Sequence, residues 1–113
     1  MKRIRIYTGD DGESHIEENP IVFSEREGTR SISEPATAVT WVQREEGSFI
    51  DFHPAPRRQY VLYLTASVEV GLADGSTVVM EPGDVLQAED TTGRGHTSRV
   101  LRGGLCAFVH LDD

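Results

Sequence analysis

Turn-forming residues cut this chain into short runs of alternating apolar and polar residues, and no stretch keeps a helical spacing long enough to make a helix. The breaks fall at residues 8–13, 45–47, 54–56, 73–75, 81–84 and 102–104, each carrying Gly or Pro. An alternating run presents one face to a core and the other to water, so it is stable only when paired into a sheet. Roughly eight to ten such runs, with turns every eight to twelve residues, are the pattern of a β-sandwich or barrel. The 113 residues fit one domain, residues 1–113, large enough to bury a core without disulfides.

Alternation also assigns faces. Strands are predicted over 2–7, 37–45, 48–53, 59–65, 67–72, 77–80, 85–88, 97–101 and 105–111. In 2–7, Ile4 and Ile6 share a face, and this strand is expected at a sheet edge, free to pair across a homodimer. In 37–45, Val39, Trp41 and Gln43 oppose Thr40 and Val42, with Trp41 expected in the core or a pocket wall. In 48–53, Asp51 and His53 fall together, as do Gln59 and Tyr63 in 59–65. Residues 20–23 form a brief apolar touch-down between polar loops, and 24–35 reads as loop.

The charge excludes several classes of partner. Eleven Lys and Arg against 19 Asp and Glu give a net charge of −8, which argues against nucleic acid and against anionic membrane surfaces. The N-terminus lacks the apolar core of a signal peptide, and no apolar run reaches membrane-spanning length, so a cytoplasmic setting is expected. Cys106, the single cysteine, lies in an apolar run and reads as a small buried hydrophobe.

Two polar clusters stand out against this frame. Residues 51–63 hold Asp51, His53, a Pro-bounded corner, Gln59 and Tyr63. Residues 82–96 hold a Pro-Gly-Asp turn, a short strand, a glycine-bearing loop and His96. Polar side chains on short strands, separated by a hairpin, are expected to converge inside a small β-barrel.

These residues resemble the small single-domain cupins, which are double-stranded β-helix jelly rolls. The first cupin motif runs G-x5-H-x-H-x3-4-E-x6-G. Gly47 and His53 occupy its start, Ala55 its second His, Gln59 its Glu and Ala66 its last Gly. The second runs G-x5-P-x-G-x2-H-x3-N. Gly83, Gly93 and His96 match it, two additional residues precede Thr91 at the Pro position, and Val100 holds the Asn position. The matched segments are about 47–66 and 83–100. The resemblance implies an all-β cupin jelly roll, with metal ligands at His53, Gln59 and His96 for a divalent ion such as Fe, Mn, Ni or Zn. Ala55 supplies no ligand, and Asp51 is a replacement candidate by strand parity.

Three functional readings follow. In one, a small organic molecule is bound or transformed in the barrel with a divalent metal, as an oxygenase, isomerase, lyase or cyclase. In another, a metal-free pocket binds or senses the molecule without catalysis. A third and narrower reading is a metal-free isomerase with His53 as base and Tyr63 as acid. His53, Tyr63 and Asp51 are the catalytic candidates. His15 reads as an exposed histidine, His110 as a strand histidine bonded locally, Arg57 and Arg58 as a solvated corner, and Glu89 and Asp90 as residues that hold the loop before His96.

Overall fold

A computed structural model describes residues 1–111 and contains ten strands and no helix among them. In chain order they are β1 (Arg3–Thr8), β2 (Ser14–Glu18), β3 (Ala36–Arg44), β4 (Phe49–His53), β5 (Gln59–Tyr63), β6 (Ser67–Gly71), β7 (Thr77–Met80), β8 (Val85–Glu89), β9 (His96–Arg102) and β10 (Gly104–Leu111). They form two sheets. One has six strands in the order β2-β1-β8-β5-β10-β3, the other four in the order β4-β9-β6-β7. All pairings are antiparallel except β1 with β8. Apart from the β1–β2 and β6–β7 hairpins and the β2–β3 connection, each link from one strand to the next changes sheet. The sheets do not close on one another: β3 and β4 remain unpaired edges.

The core lies between the sheets, where alternation sends one side chain in two. Ile4 and Ile6 of β1, Leu86 and Ala88 of β8, Val61 and Tyr63 of β5 and Cys106 of β10 are buried from the six-stranded side. Val68 and Val70 of β6, Met80 of β7 and Val100 of β9 are buried from the other. Burying a side chain of this size contributes about 1.5–3 kcal/mol, so this cluster dominates the stability of the domain. No helix among the described residues is long and apolar enough to cross a membrane.

The turn at 81–84 fixes how the sheets meet. Asp84 N donates to Glu81 O at 2.9 Å, and Gly83 at φ +95° takes the position of a type II turn that requires a left-handed residue after Pro82. Burial alone would raise the pKa of Asp84. Donation from Lys2 Nζ (2.7 Å), Lys2 N (2.9 Å) and Glu81 N (2.8 Å) outweighs that and holds the carboxyl below its usual range. The same contacts clamp the start of β1 to the start of β8.

Three expectations change here. The N-terminal strand is not an edge: β1 is paired on both sides, by β2 and by β8, so it has no free backbone for a second copy. The edge beyond it is β2, formed by the acidic segment around His15. Its charged, mostly exposed side chains gave no strand-like alternation to read. Trp41 is neither core nor pocket wall but 67% exposed, on the outward face of edge strand β3 with Val39. The apolar touch-down at 20–23 leaves Val22 and Phe23 exposed.

Candidate functional site

Between the sheets, toward the open β3–β4 side, lies a cavity of about 220 Å³. His53, Ala55, Gln59 and His96 all line it, so the four positions matched to the cupin ligand set face one space. The rest of the wall is Val42, Arg44, Ile50, Pro56, Val61, Tyr63, Val70, Leu86, Ala88, Ser98 and Phe108.

The two histidines meet because β4 and β9 pair with His53 directly opposite His96. Their ring centroids are 4.7 Å apart and the planes are inclined by 54°. A glycine permits this approach. Gly95 has φ +81°, and a Cβ there would fall inside the contact shell of the His53 carbonyl and the Pro54 nitrogen. Gly93 has φ +76° and lies just as close to the carbonyl of Gly12. Only a residue without a side chain suits both positions.

Each ring is held through Nδ1. His53 Nδ1 lies 2.8 Å from the backbone oxygen of Asp51, which can only accept, so Nδ1 carries a proton and, in the neutral ring, Nε2 a free lone pair. His96 Nδ1 lies 2.6 Å from Asp90 Oδ2. Asp90 is fully buried, and Ser14 Oγ donates to the same oxygen at 2.7 Å. A neutral His96 is thereby also fixed with its Nε2 unprotonated. Gln59, at the start of β5, is 3% exposed, and its Oε1 is buried with no hydrogen-bond donor among the described residues. A buried acceptor without a donor costs about 1–3 kcal/mol, so this atom is set up to receive something.

Asp51 is placed otherwise than strand parity predicts. Ile50 opposes Ser98 and His53 opposes His96, so three steps on β4 match two on β9. This one-residue bulge brings Ile50 and His53 to the cavity together and leaves Asp51 outside its wall. The Asp51 carboxylate is exposed and accepts from Phe52 N at 2.8 Å, while its carbonyl serves His53. Tyr63 does line the cavity. Full burial raises its pKa strongly, the neighbouring Cys106 adds to this and Arg44 opposes it, so its hydroxyl is a neutral hydrogen-bonding group rather than a ready acid.

The remaining histidines lie away from this space. His15 is exposed on β2, with Nε2 3.0 Å from Asp11. His110 Nε2 lies 3.1 Å from Thr40 Oγ1 and 3.4 Å from Arg57 Nη1. Arg58 is drawn out of the solvated corner by Glu89, which bridges it and Arg5 at 2.8 and 2.5 Å.

Three participants escape a reading of the chain by motif. Arg44 continues the inward face of Val42, and Ser98 that of His96, so strand parity alone would have found both. Asp90 is expected only to hold the loop before His96, and nothing in the spacing shows that its side chain reaches the ring. It sits at the end of a strand, six residues before the histidine it supports, and only the loop's return brings them together.

No group of three or more His, Cys, Asp or Glu is placed to hold a metal among the described residues. The side chains of the cavity wall that could donate to a cation are the two imidazoles and the amide oxygen of Gln59. Borderline divalent ions accept such a set, and the Nδ1 bonds to a carbonyl and a carboxylate are the usual supports of metal-binding histidines. By the type of their donors, though not by any geometry shown, these residues would suit a divalent ion. No known family's sequence model matches this chain, nor does any curated protein.

Proposed function

We propose that this chain is a small cupin whose barrel takes a small organic molecule beside a divalent metal held by His53, His96 and Gln59. The observation that carries the reading is the convergence of His53, Ala55, Gln59 and His96 on one cavity, with both histidines anchored at Nδ1. Supporting it, β3-β10-β5-β8 and β4-β9-β6-β7 are two facing four-stranded groups of the kind a double Greek key produces.

A bound metal supplies Lewis acidity or a site for oxygen. The chain supplies the rest. Ala55 keeps one position beside the histidines open. Asp90 and Ser14 hold His96 in a single tautomer, and the Asp51 carbonyl does the same for His53. The wall is mostly apolar, and Tyr63 offers a neutral hydroxyl. The class of reaction is not chosen by the fold, since one barrel serves oxygenation, isomerisation, elimination and cyclisation alike. The second reading, a metal-free binding or sensing pocket, is favoured by the loss of the second His and the Glu. In that case Gln59 Oε1 accepts from the ligand itself. The metal-free isomerase is weakened by the raised pKa of Tyr63. Metal analysis of protein purified without chelator separates the readings. About one equivalent per chain, lost in His53→Ala, supports the first, and no metal in the native protein supports the second.

The homodimer belongs to the same proposal, moved to another edge. Strand β3 is an unpaired edge with Val39 51% and Trp41 67% exposed, and it carries no charge before Arg44. A two-fold contact sets the same strand of each copy against the other, residue i facing j and j facing i, so an uncharged strand is where a chain of net charge −8 meets a second copy without repulsion. Sedimentation at micromolar concentration is expected to give a dimer for the native chain and a monomer for Trp41→Lys. A monomeric native protein would contradict this assignment. A cytoplasmic setting remains part of the proposal.

A further inference from the structure

We infer that Arg44 and Ser98 form an anion subsite of this cavity, and that the molecule bound there is a small carboxylate with an apolar body. The inference rests on the reading of the cavity as a ligand site and names the class of ligand.

Arg44 ends β3 and lines the cavity, where its Nη2 donates to Ser98 Oγ at 2.9 Å. The guanidinium also lowers the pKa of the nearby Cys106 thiol against the rise that burial causes. A guanidinium carries five N–H donors, so the bond to Ser98 leaves part of the fork for a guest. Among the described residues no carboxylate pairs with Arg44. Arg44 is the one Lys or Arg among the residues lining the cavity, and although the chain has 19 acidic residues none of them lines it. Arg44 is a cation facing a mostly apolar space with no counter-charge of its own.

The size and lining narrow the guest further. At about 220 Å³ the cavity is smaller than the roughly 300–1,000 Å³ of sites for drug-sized ligands. Val42, Ile50, Val61, Val70, Leu86 and Phe108 ask for an apolar body. One guanidinium fork and one hydroxyl match the two oxygens of a carboxylate. They do not replace the hydration of a phosphate, which would need more donors than this wall has. Ser98 accepts from Arg44, so its own proton is free for the guest. Ser98 stands two residues from His96 on the same face of β9, about 7 Å along the strand. A carboxylate on Arg44 therefore directs the adjoining carbons toward the histidine pair.

Benzoate and benzamide test this, since they share a shape and differ in charge. Calorimetric titration of the native protein at neutral pH and low salt is expected to show benzoate bound at least about tenfold more tightly than benzamide, the range of a hydrogen bond to a charged group. Arg44→Gln should erase that preference, weakening benzoate far more than benzamide, and Ser98→Ala should reduce it by a few-fold without altering net charge. Equal binding of the two probes by native protein, a preference that survives Arg44→Gln, or tighter binding of inorganic phosphate than of benzoate would overturn the subsite. Failure of both probes, with zinc still bound through His53 and His96, would overturn the anion subsite while leaving the metal site standing. Loss of zinc binding with the benzoate preference intact would do the reverse.

Discussion

Gly95→Ala is expected to be the most damaging single-methyl change in the chain, costing about 4 kcal/mol or more in unfolding free energy. Two effects add. Gly95 holds φ +81°, a conformation that costs an L-residue about 1–2 kcal/mol. A Cβ there would also overlap the carbonyl of His53 and the nitrogen of Pro54, which are backbone atoms and cannot swing aside. The loop before β9 must then lift away from the end of β4, separating His53 from His96. Gly75→Ala isolates the first effect. Gly75 has φ +89° in the β6–β7 hairpin, but a Cβ there meets nothing within 4 Å. Urea denaturation should show Gly75→Ala losing only about 1–2 kcal/mol. Equal losses in the two variants would mean that the close approach of Gly95 to His53 is wrong.

Asp90→Ala is expected to affect both stability and site. Its Oδ2 accepts from Ser14 Oγ and His96 Nδ1, and removing it strands two buried donors. Each stranded group costs about 1–3 kcal/mol, giving a combined loss of about 3 kcal/mol. The His96 ring also loses the bond that fixes its tautomer, and supports of this kind are worth about 10–100-fold in metal affinity. Asp90→Asn keeps an oxygen able to accept both bonds but places its NH2 where Asp90 Oδ1 is buried without a partner, so it should recover only part of the stability and of the affinity. Thermal melts together with zinc titration check both halves. An Asp90→Ala protein as stable as the native one, with unchanged zinc affinity, would remove Asp90 from the account.

Much of this was legible in the sequence, because alternation and turn chemistry are local. The Pro82-Gly83-Asp84 turn, the β3 to β10 segments and the inward facing of Gln59 with Tyr63 all follow from spacing two and from Gly and Pro. What failed depends on pairing. Asp51 shares strand parity with His53, but a bulge opposite Ser98 and His96 breaks that parity, and bulges are set by the partner strand. Strand β1 looked like an edge because no local signal shows that β8 lies beside it in parallel, clamped through Lys2 and Asp84. Trp41 looked like core because large aromatics usually are, yet the inward face of β3 carries Val42 and Arg44, which leaves Trp41 on the outside. Asp90 reaches His96 only through the fold of a loop.

The central claim is that His53 and His96 present unprotonated Nε2 atoms to one cavity where a divalent ion is held. Long-range proton–nitrogen correlation spectra of histidine-labelled protein test it directly. Without metal, His53 and His96 should both show the Nδ1-protonated tautomer. One equivalent of zinc should then shift the Nε2 signals of these two residues and leave His15 and His110 in place. Protonated Nε2 atoms at His53 and His96, or zinc-dependent shifts confined to His15 and His110, would contradict the account.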